Sequence, residues 1–322
     1  QHSVQPKGYV EKFSIHHNYI LCYQKSDKFN LELQERTEEH NKNYSNPDND
    51  PNGLWRAGDV RTPLPRPNLQ YDIETPLGKT IKPPKNGWRW SKSEMNSKIS
   101  KGEVIFNKEE TKITRKIYLN SVSGRAPESL WLGKDVGTTR EATQELKKLF
   151  GSEVPFDTPK PSRLLEKILE LSTNKDEDCF VLDFFAGSGT MAQAIFNKNI
   201  KDNGKRKFIL VQIPEPTIKK SKAYEQGYKF VSEIGKERIR RVIKQIEKEQ
   251  KEKSKQKKLT KEKEVNLDLG FKVFKLDKSN YKIWEKYEGK DGKELKKQLE
   301  LFKTPLISGY KNEAVIYECI IK

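Results

Sequence analysis

The sequence predicts an α/β protein centred on a parallel βαβ unit, and three observations carry that expectation. The run Val181-Leu182-Asp183-Phe184-Phe185-Ala186-Gly187-Ser188-Gly189-Thr190 passes from an apolar strand pattern through an acid to a glycine turn, then to a helical pattern. A second apolar run, Phe208-Ile209-Leu210-Val211-Gln212, follows at a helix-length spacing, the order expected of strand, helix and parallel strand. Upstream, Leu164, Leu165, Ile168 and Leu169 lie at helical spacing behind Pro161, a residue suited to a first helical turn.

Taken in order, residues 13–25 alternate as a strand would, with Tyr19, Leu21 and Tyr23 on one face and Ile20 and Cys22 on the other. Residues 26–75 are rich in turn formers, from Asn46 to Gly53 and at Pro63, Pro65 and Pro67. They predict ordered loops and short strands that build no core by themselves. Residues 79–116 carry eleven Lys/Arg against four Asp/Glu, with Trp88 and Trp90 in their midst. The tryptophans predict anchors of a small β-domain core. The basic residues, Lys82, Lys85, Arg89 and Lys92 among them, predict a surface for nucleic-acid phosphates.

Helices are predicted over 140–150, 162–173 and 190–199, and strands over 179–185 and 207–213. A longer helix over 227–249 presents Val231, Ile234, Ile239, Val242, Ile243 and Ile246 on one face, so the best core is expected near 154–246. The lysine run 251–263 predicts a solvated helix extension or a flexible linker, 265–284 a new element, and 314–321 an apolar strand or helix.

Composition narrows the function. The chain has 322 residues, 33% hydrophobic and 34% charged, with a net charge of +17, which suits a polyanionic partner. No apolar run is long enough for a membrane span, and no signal peptide can be read. Cys22, Cys179 and Cys319 are far apart and lack metal spacing; they predict buried reduced thiols in a cytoplasmic protein. The glycine turn lacks the Lys-Ser/Thr of a nucleoside-triphosphate loop. It does fit the weak dinucleotide pattern G-x-G-x-x-G/A, but a nicotinamide site carries its acid at the end of the second strand. Here Asp183 stands four residues before Gly187. Gly187 and Gly189 remove the Cβ atoms that would block a ligand's approach to the backbone.

Phe156-Asp157-Thr158-Pro159-Lys160-Pro161, a helix, and then Asp183-Phe184-Phe185-Ala186-Gly187-Ser188-Gly189-Thr190 resemble the S-adenosylmethionine site of the β-group amino-methyltransferases of DNA. The resemblance extends to the modification subunits of type III restriction systems. It runs through His17–Tyr23, Gly87–Ser91, Phe208–Gln212 and Gly270–Phe274, nearly the whole chain.

The resemblance implies a Rossmann-like methyltransferase sheet in permuted motif order, with an inserted, mixed β-rich target-recognition region. It divides the chain into the end of a catalytic half (1–25), the recognition region (26–150), the cofactor-binding half (151–249) and a basic linker with a C-terminal domain (250–322). It implies that Phe156, Thr158 and Lys160 close one side of the S-adenosylmethionine pocket, and that Asp183, Phe184, Phe185, Ala186, Gly187, Ser188, Gly189 and Thr190 line the other. Asp183 would face the cofactor's cationic groups. Ser188 and Thr190 would bond its carboxylate or cap the helix, and Gln212 and Glu215 would meet its ribose.

The implied partners are double-stranded DNA, a second copy of the chain and a restriction subunit with helicase and nuclease activity. The implied reaction is transfer of methyl to adenine N6. One departure is large. The family's Asp-Pro-Pro-Tyr tetrapeptide is absent, since the sole Pro-Pro, Pro83-Pro84, lies between Lys82 and Lys85. The expectation is therefore a fragment that lacks an N-terminal catalytic segment and is cut near its C-terminus. An inactive DNA-binding subunit of the same fold is the rival reading, and a nicotinamide oxidoreductase the more distant one.

Overall fold

The computed structural model describes residues 15–257, 268–284, 288–289 and 291–321. They divide into two compact units, one within 1–267 and one within 268–322.

In the first unit, residues 15–25 form neither helix nor strand, and Tyr19, Leu21 and Tyr23 are exposed. The strand expected over 13–25 is thus corrected for its described part; residues 13 and 14 lie outside the described residues. Alternation yields a strand only where a neighbouring backbone takes its N–H and C=O groups. Among the described residues no strand pairs with it.

The turn-rich region that follows contains α1 (Glu38–Asn41), β1 (Trp55–Gly58), β2 (Ile73–Glu74), β3 (Thr80–Ile81), α2 (Lys92–Ser100), β4 (Val104–Phe106) and β5 (Ile113–Tyr118). β5 lies between β1 and β4, antiparallel to both, and β2 and β3 form a separate small ribbon. Val60, Ile73, Trp88, Met95 and Val104 are buried together in a core of their own. Trp88 donates its indole N–H to the Tyr71 carbonyl at 2.7 Å, and the Tyr71 hydroxyl donates to the Trp90 carbonyl at 2.7 Å. The tryptophan reading holds for Trp88, and Trp90 packs at the edge of the same core.

The expectation that 26–75 builds no core by itself holds: Val60 and Ile73 are buried in one only with Trp88, Met95 and Val104 from the next segment. Lys116 draws this region together, its ammonium held between Asp48 and Asp50 with a side chain only 5% exposed. Hydrogen bonds from Lys116 are the main cause that lowers both carboxyls below their usual range.

After α3 (Gly133–Val136), α4 (Thr139–Phe150) starts at Thr138, whose side chain accepts from the Glu141 N–H, and stops at Gly151, φ 90°. Then α5 (Ser162–Ser172), β6 (Phe180–Asp183), α6 (Thr190–Asp202) and β7 (Lys207–Leu210) form the expected βαβ unit with its preceding helix. β6 and β7 pair in parallel, Val181 opposite Phe208 and Leu182 opposite Ile209. Val181 and Phe208 pack with Leu165, Leu169, Met191, Ala194 and Ile195 beneath α5 and α6. The α6–β7 connection is pinned by buried Arg206, which donates to the Asp202 carboxylate at 2.9 and 3.0 Å and to the Thr173 hydroxyl at 2.6 Å.

Two expectations for this unit are corrected. The strands are shorter than 179–185 and 207–213, and β6 is not buried on both faces. Phe180, Leu182 and Ile209 are exposed on the face away from the helices. Parallel strands are normally covered on both sides, which is why their apolar runs read as buried.

The helix expected from 227 starts later. Short α7 (Lys222–Glu225) comes first, Gly227 turns at φ 87°, and α8 runs Val231–Lys257. Its buried face carries Ile234, Ile239, Val242 and Ile246 as read, and also Arg238. The lysine run is thus helical as far as Lys257, and its remainder lies outside the described residues.

In the second unit, α9 (Gly292–Leu301) begins at Asp291, whose carboxylate accepts from the Lys293 N–H, and α10 (Asn312–Ile321) resolves the terminal apolar run as a helix. The described part of 265–284 contains no helix or strand, only a bridge between Tyr281 and Leu306. The cysteines are free, but Cys22 and Cys319 are exposed and Cys179 is half-buried, which corrects the expectation of buried thiols. Among the described residues there is no helix long and apolar enough to cross a membrane, and no group of His, Cys, Asp and Glu that could hold a metal.

Candidate functional site

The C-terminal end of β6 meets the N-terminus of α6 through a tight turn whose backbone is bonded from three directions. Asp183 accepts the Val211 N–H on its carbonyl at 2.8 Å, and its Oδ1 accepts the Phe185 N–H at 3.0 Å. The Ala186 N–H donates to the Val211 carbonyl at 3.1 Å, and the Gly187 N–H donates to Gln212 Oε1 at 2.8 Å. Gly187 and Gly189 adopt φ 51° and 76°, the left-handed region that β-branched and bulky residues avoid. Gly189 also caps α6, with no side-chain bond to the first turn of the helix.

Phe156 packs against this turn, its ring tip 3.4 Å from where a Gly187 Cβ would stand, so the two motifs separated in sequence meet in space. Thr158 and Lys160 are exposed beside it, while Pro159 and Pro161 are buried. Phe184 and Phe185 project from the turn with ring centroids 5.0 Å apart, 60% and 84% exposed. Glu215 is exposed beyond β7, where its carbonyl accepts the Val231 N–H at 2.9 Å. The structure therefore gathers Phe156, Asp183, the Gly187–Thr190 turn and Gln212 into one locus, while Thr158, Lys160 and Glu215 are exposed side chains.

Ser188 and Thr190 do not take the capping role that was one of their two expected ones. Both are buried, and neither caps α6, whose cap is Gly189 with no side-chain bond. Their hydroxyls accept from Arg238 Nη1 at 3.0 and 2.6 Å. Arg238 comes from α8, its side chain 0% exposed, and also donates Nε–H to Gln193 Oε1 at 3.0 Å. Its Nη2 stands 3.6 Å from Glu145 Oε2. Burial pulls the guanidinium down to about 10, opposed by the Glu145 charge, so it remains a cation at neutral pH. Burial raises Glu145, while the Ser162 N–H and Arg238 act in the opposite sense. Sequence reading passed over Arg238, Glu145 and Gly235. The available signal was a charge in the apolar stripe of a helix, four residues after Ile234 and four before Val242.

The surface expected to meet nucleic acid lies in the antiparallel region. Lys85, Arg89 and Lys92 are exposed, and Lys82 pairs with Asp72 at 2.6 Å. Lys85 lines a shallow cavity of about 460 Å³ with Asp59, Arg61, Thr62, Pro63, Pro84 and Asn86.

A strand whose C-terminal acid adjoins a glycine turn and helix N-terminus, with an aromatic ring from another segment against the turn, is the kind of strand end at which α/β proteins bind ligands. Residues 3–215 match the DNA methylase family of N6 and N4 methyltransferases, and the chain belongs to that family. Its relatives include the type III restriction-modification enzyme StyLTI Mod subunit of Salmonella typhimurium, 33% identical over 270 residues, covering 82% of this chain and 38% of that protein. The EcoPI Mod subunit of Escherichia phage P1 is 39% identical over 159 residues, covering 49% of this chain and 24% of that protein. The type II methyltransferase M.KpnI of Klebsiella pneumoniae is 31% identical over 252 residues, with 71% and 58% covered. The chain thus spans between 24% and 58% of the length of these relatives.

Proposed function

We propose that this chain is the cofactor-binding and target-recognition part of a site-specific DNA adenine-N6 methyltransferase in a type III restriction-modification system of the cytoplasm. The observation that carries the reading is the meeting of Phe156, Asp183 and the Gly187–Thr190 turn at one strand end. These residues suit S-adenosylmethionine. The two left-handed glycines form the tight turn between β6 and α6, the N-terminal end of α6 suits its carboxylate, and the Asp183 carboxylate suits its cationic amino and sulfonium groups. When bound, the cofactor supplies an electrophilic methyl group.

In this reading Asp183 Oδ1 is fixed by Phe185, and Oδ2 is the atom assigned to the cofactor's cations. Gln212 holds the Gly187 backbone, Phe156 walls the pocket, and the exposed Phe184 and Phe185 offer an apolar floor. Lys160 and Thr158 are assigned to the cofactor carboxylate side, and Glu215 to the ribose.

The fold we assign is the permuted Rossmann-like sheet, with 1–25 ending a catalytic half, 26–150 the inserted recognition region, 151–249 the cofactor half and 250–322 a linker and C-terminal domain. The exposed apolar face of β6–β7 supports a larger sheet in the complete protein. Double-stranded DNA is the proposed substrate, met by Lys85, Arg89 and Lys92, with a homodimer and a restriction subunit as proposed partners. Residues 1–322 contain no Asp-Pro-Pro-Tyr, which favours a second reading of the chain taken alone: binding of cofactor and DNA without transfer.

Titration of the full protein with S-adenosylmethionine tests the pocket. Asp183→Ala is expected to remove binding while leaving the unfolding free energy within about 1 kcal/mol of the parent, as befits a half-exposed side chain. Unchanged affinity in that variant overturns the assignment.

A further inference from the structure

The buried guanidinium of Arg238 lies behind the cofactor turn, in a stripe where an apolar side chain would serve stability at least as well. A buried charge is costly unless paired, and replacing a buried ion pair by packed apolar groups is often neutral or stabilising. Its bonds indicate what the charge does there. One arm, Nη1, holds Ser188 Oγ and Thr190 Oγ1, the two hydroxyls that flank Gly189. The other, Nη2, has no hydrogen-bond partner and faces Glu145 Oε2 at 3.6 Å.

Glu145 in turn accepts the Ser162 N–H at 3.1 and 3.3 Å. Ser162 is the residue that follows Thr158-Pro159-Lys160-Pro161. One charged pair therefore joins both segments of the site. The backbones are locked at the same place: a Cβ on Gly235 would stand 3.1 Å from the Gly187 carbonyl, and one on Gly189 would stand 3.1 Å from the Gly235 carbonyl.

We propose that Arg238 and Glu145 are a positioning pair, which sets the Gly187–Thr190 turn against the Thr158–Pro161 segment and so sets affinity for S-adenosylmethionine. The inference rests on the cofactor reading of the turn. Neither side chain contacts the cofactor in this scheme; each acts through the backbone it holds. The planar fork of arginine is essential, since a lysine ammonium is a point charge that cannot span two hydroxyls and a carboxylate in fixed geometry.

The test is calorimetric titration of the full-length protein with S-adenosylmethionine, for the parent, Arg238→Lys, Glu145→Gln, the double variant and Asp183→Ala. Arg238→Lys is expected to weaken binding by about ten- to a hundred-fold, the range of a lost charge-assisted contact, at unchanged stoichiometry. Glu145→Gln, whose amide oxygen still accepts from the Ser162 N–H, is expected to weaken it less. The double variant should fall short of the product of the two single effects. A purely stabilising role would lower the number of competent sites and the unfolding temperature but keep the parental Kd, and that result overturns the proposal. Should Arg238→Lys fail to fold, Glu145→Gln decides alone. Parental affinity in Asp183→Ala, or no binding by the parent, refutes the cofactor reading itself. Loss in Asp183→Ala with parental Kd in Arg238→Lys and Glu145→Gln refutes only the positioning pair.

Discussion

The antiparallel sheet β1–β5–β4 and the parallel pair β6–β7 belong to the same compact unit, yet they treat their apolar residues in opposite ways. The antiparallel region encloses Trp88, Met95, Val60, Ile73 and Val104 among loops and one helix, and it anchors its polar groups internally. The parallel pair buries Val181 and Phe208 under α5 and α6 but leaves Phe180, Leu182 and Ile209 exposed on the other face. Local geometry accounts for the difference. Antiparallel strands join through short turns and can close over a core with one face wet, whereas parallel strands pair across long crossovers and expect cover on both faces. The first region is self-contained. The second leaves one apolar face open.

Removing the centre of the self-contained region should give the largest effect. Trp88→Ala is expected to destabilise by about 3–5 kcal/mol, from the cavity and the Tyr71 carbonyl left unbonded. Urea unfolding with near-ultraviolet circular dichroism measures it, and S-adenosylmethionine affinity should stay at the parental value. Lost affinity would break the independence of the two regions.

A smaller effect is expected on the open face. Leu182 is 56% exposed in this chain. If the full protein covers that face, Leu182→Asn should cost about 2 kcal/mol there, the penalty of burying an unpaired polar group. A change within about 0.5 kcal/mol would show the face to be a true surface.

Lys116→Met sharpens the comparison through pH. Asp48 and Asp50 are depressed chiefly by their bonds to Lys116, so the stabilisation they lend is full above the ordinary carboxylate range and fades as pH falls through their lowered values. Burial acts to lower Lys116, but the two carboxylates carry it upward, so its own contribution persists to alkaline pH. The gap in stability between parent and Lys116→Met should therefore be widest near neutrality and close in acid. A gap independent of pH would remove the ion cluster as its cause.

Much of the candidate locus was legible because its signals are local. Asp183, the two glycines and the helix after them lie within a few residues, and Pro161 marks the start of α5. Resemblance linked Phe156 to that turn, and the structure brings its ring to it. The strand over 13–25 misled because alternation reports a pattern of side chains, while a strand also needs a backbone partner. Trp88 was read correctly, but its companions came from segments that looked like loops.

By itself the sequence determined the βαβ order, the helices over 140–150 and 162–173, the glycine turn with its acid, and the basic character of residues 79–116, since each depends on residues close in the chain. Only the tertiary structure decided that Ser188 and Thr190 turn inward, that Arg238 of α8 holds them, and that Glu145 ties the same cation to the start of α5. Those contacts join residues well separated in the chain, Ser188 and Arg238 by 50 positions. A helix-borne arginine in a sequence reads as a solvated charge until packing places it in an apolar interior, where the cost of burying it makes its partners decisive.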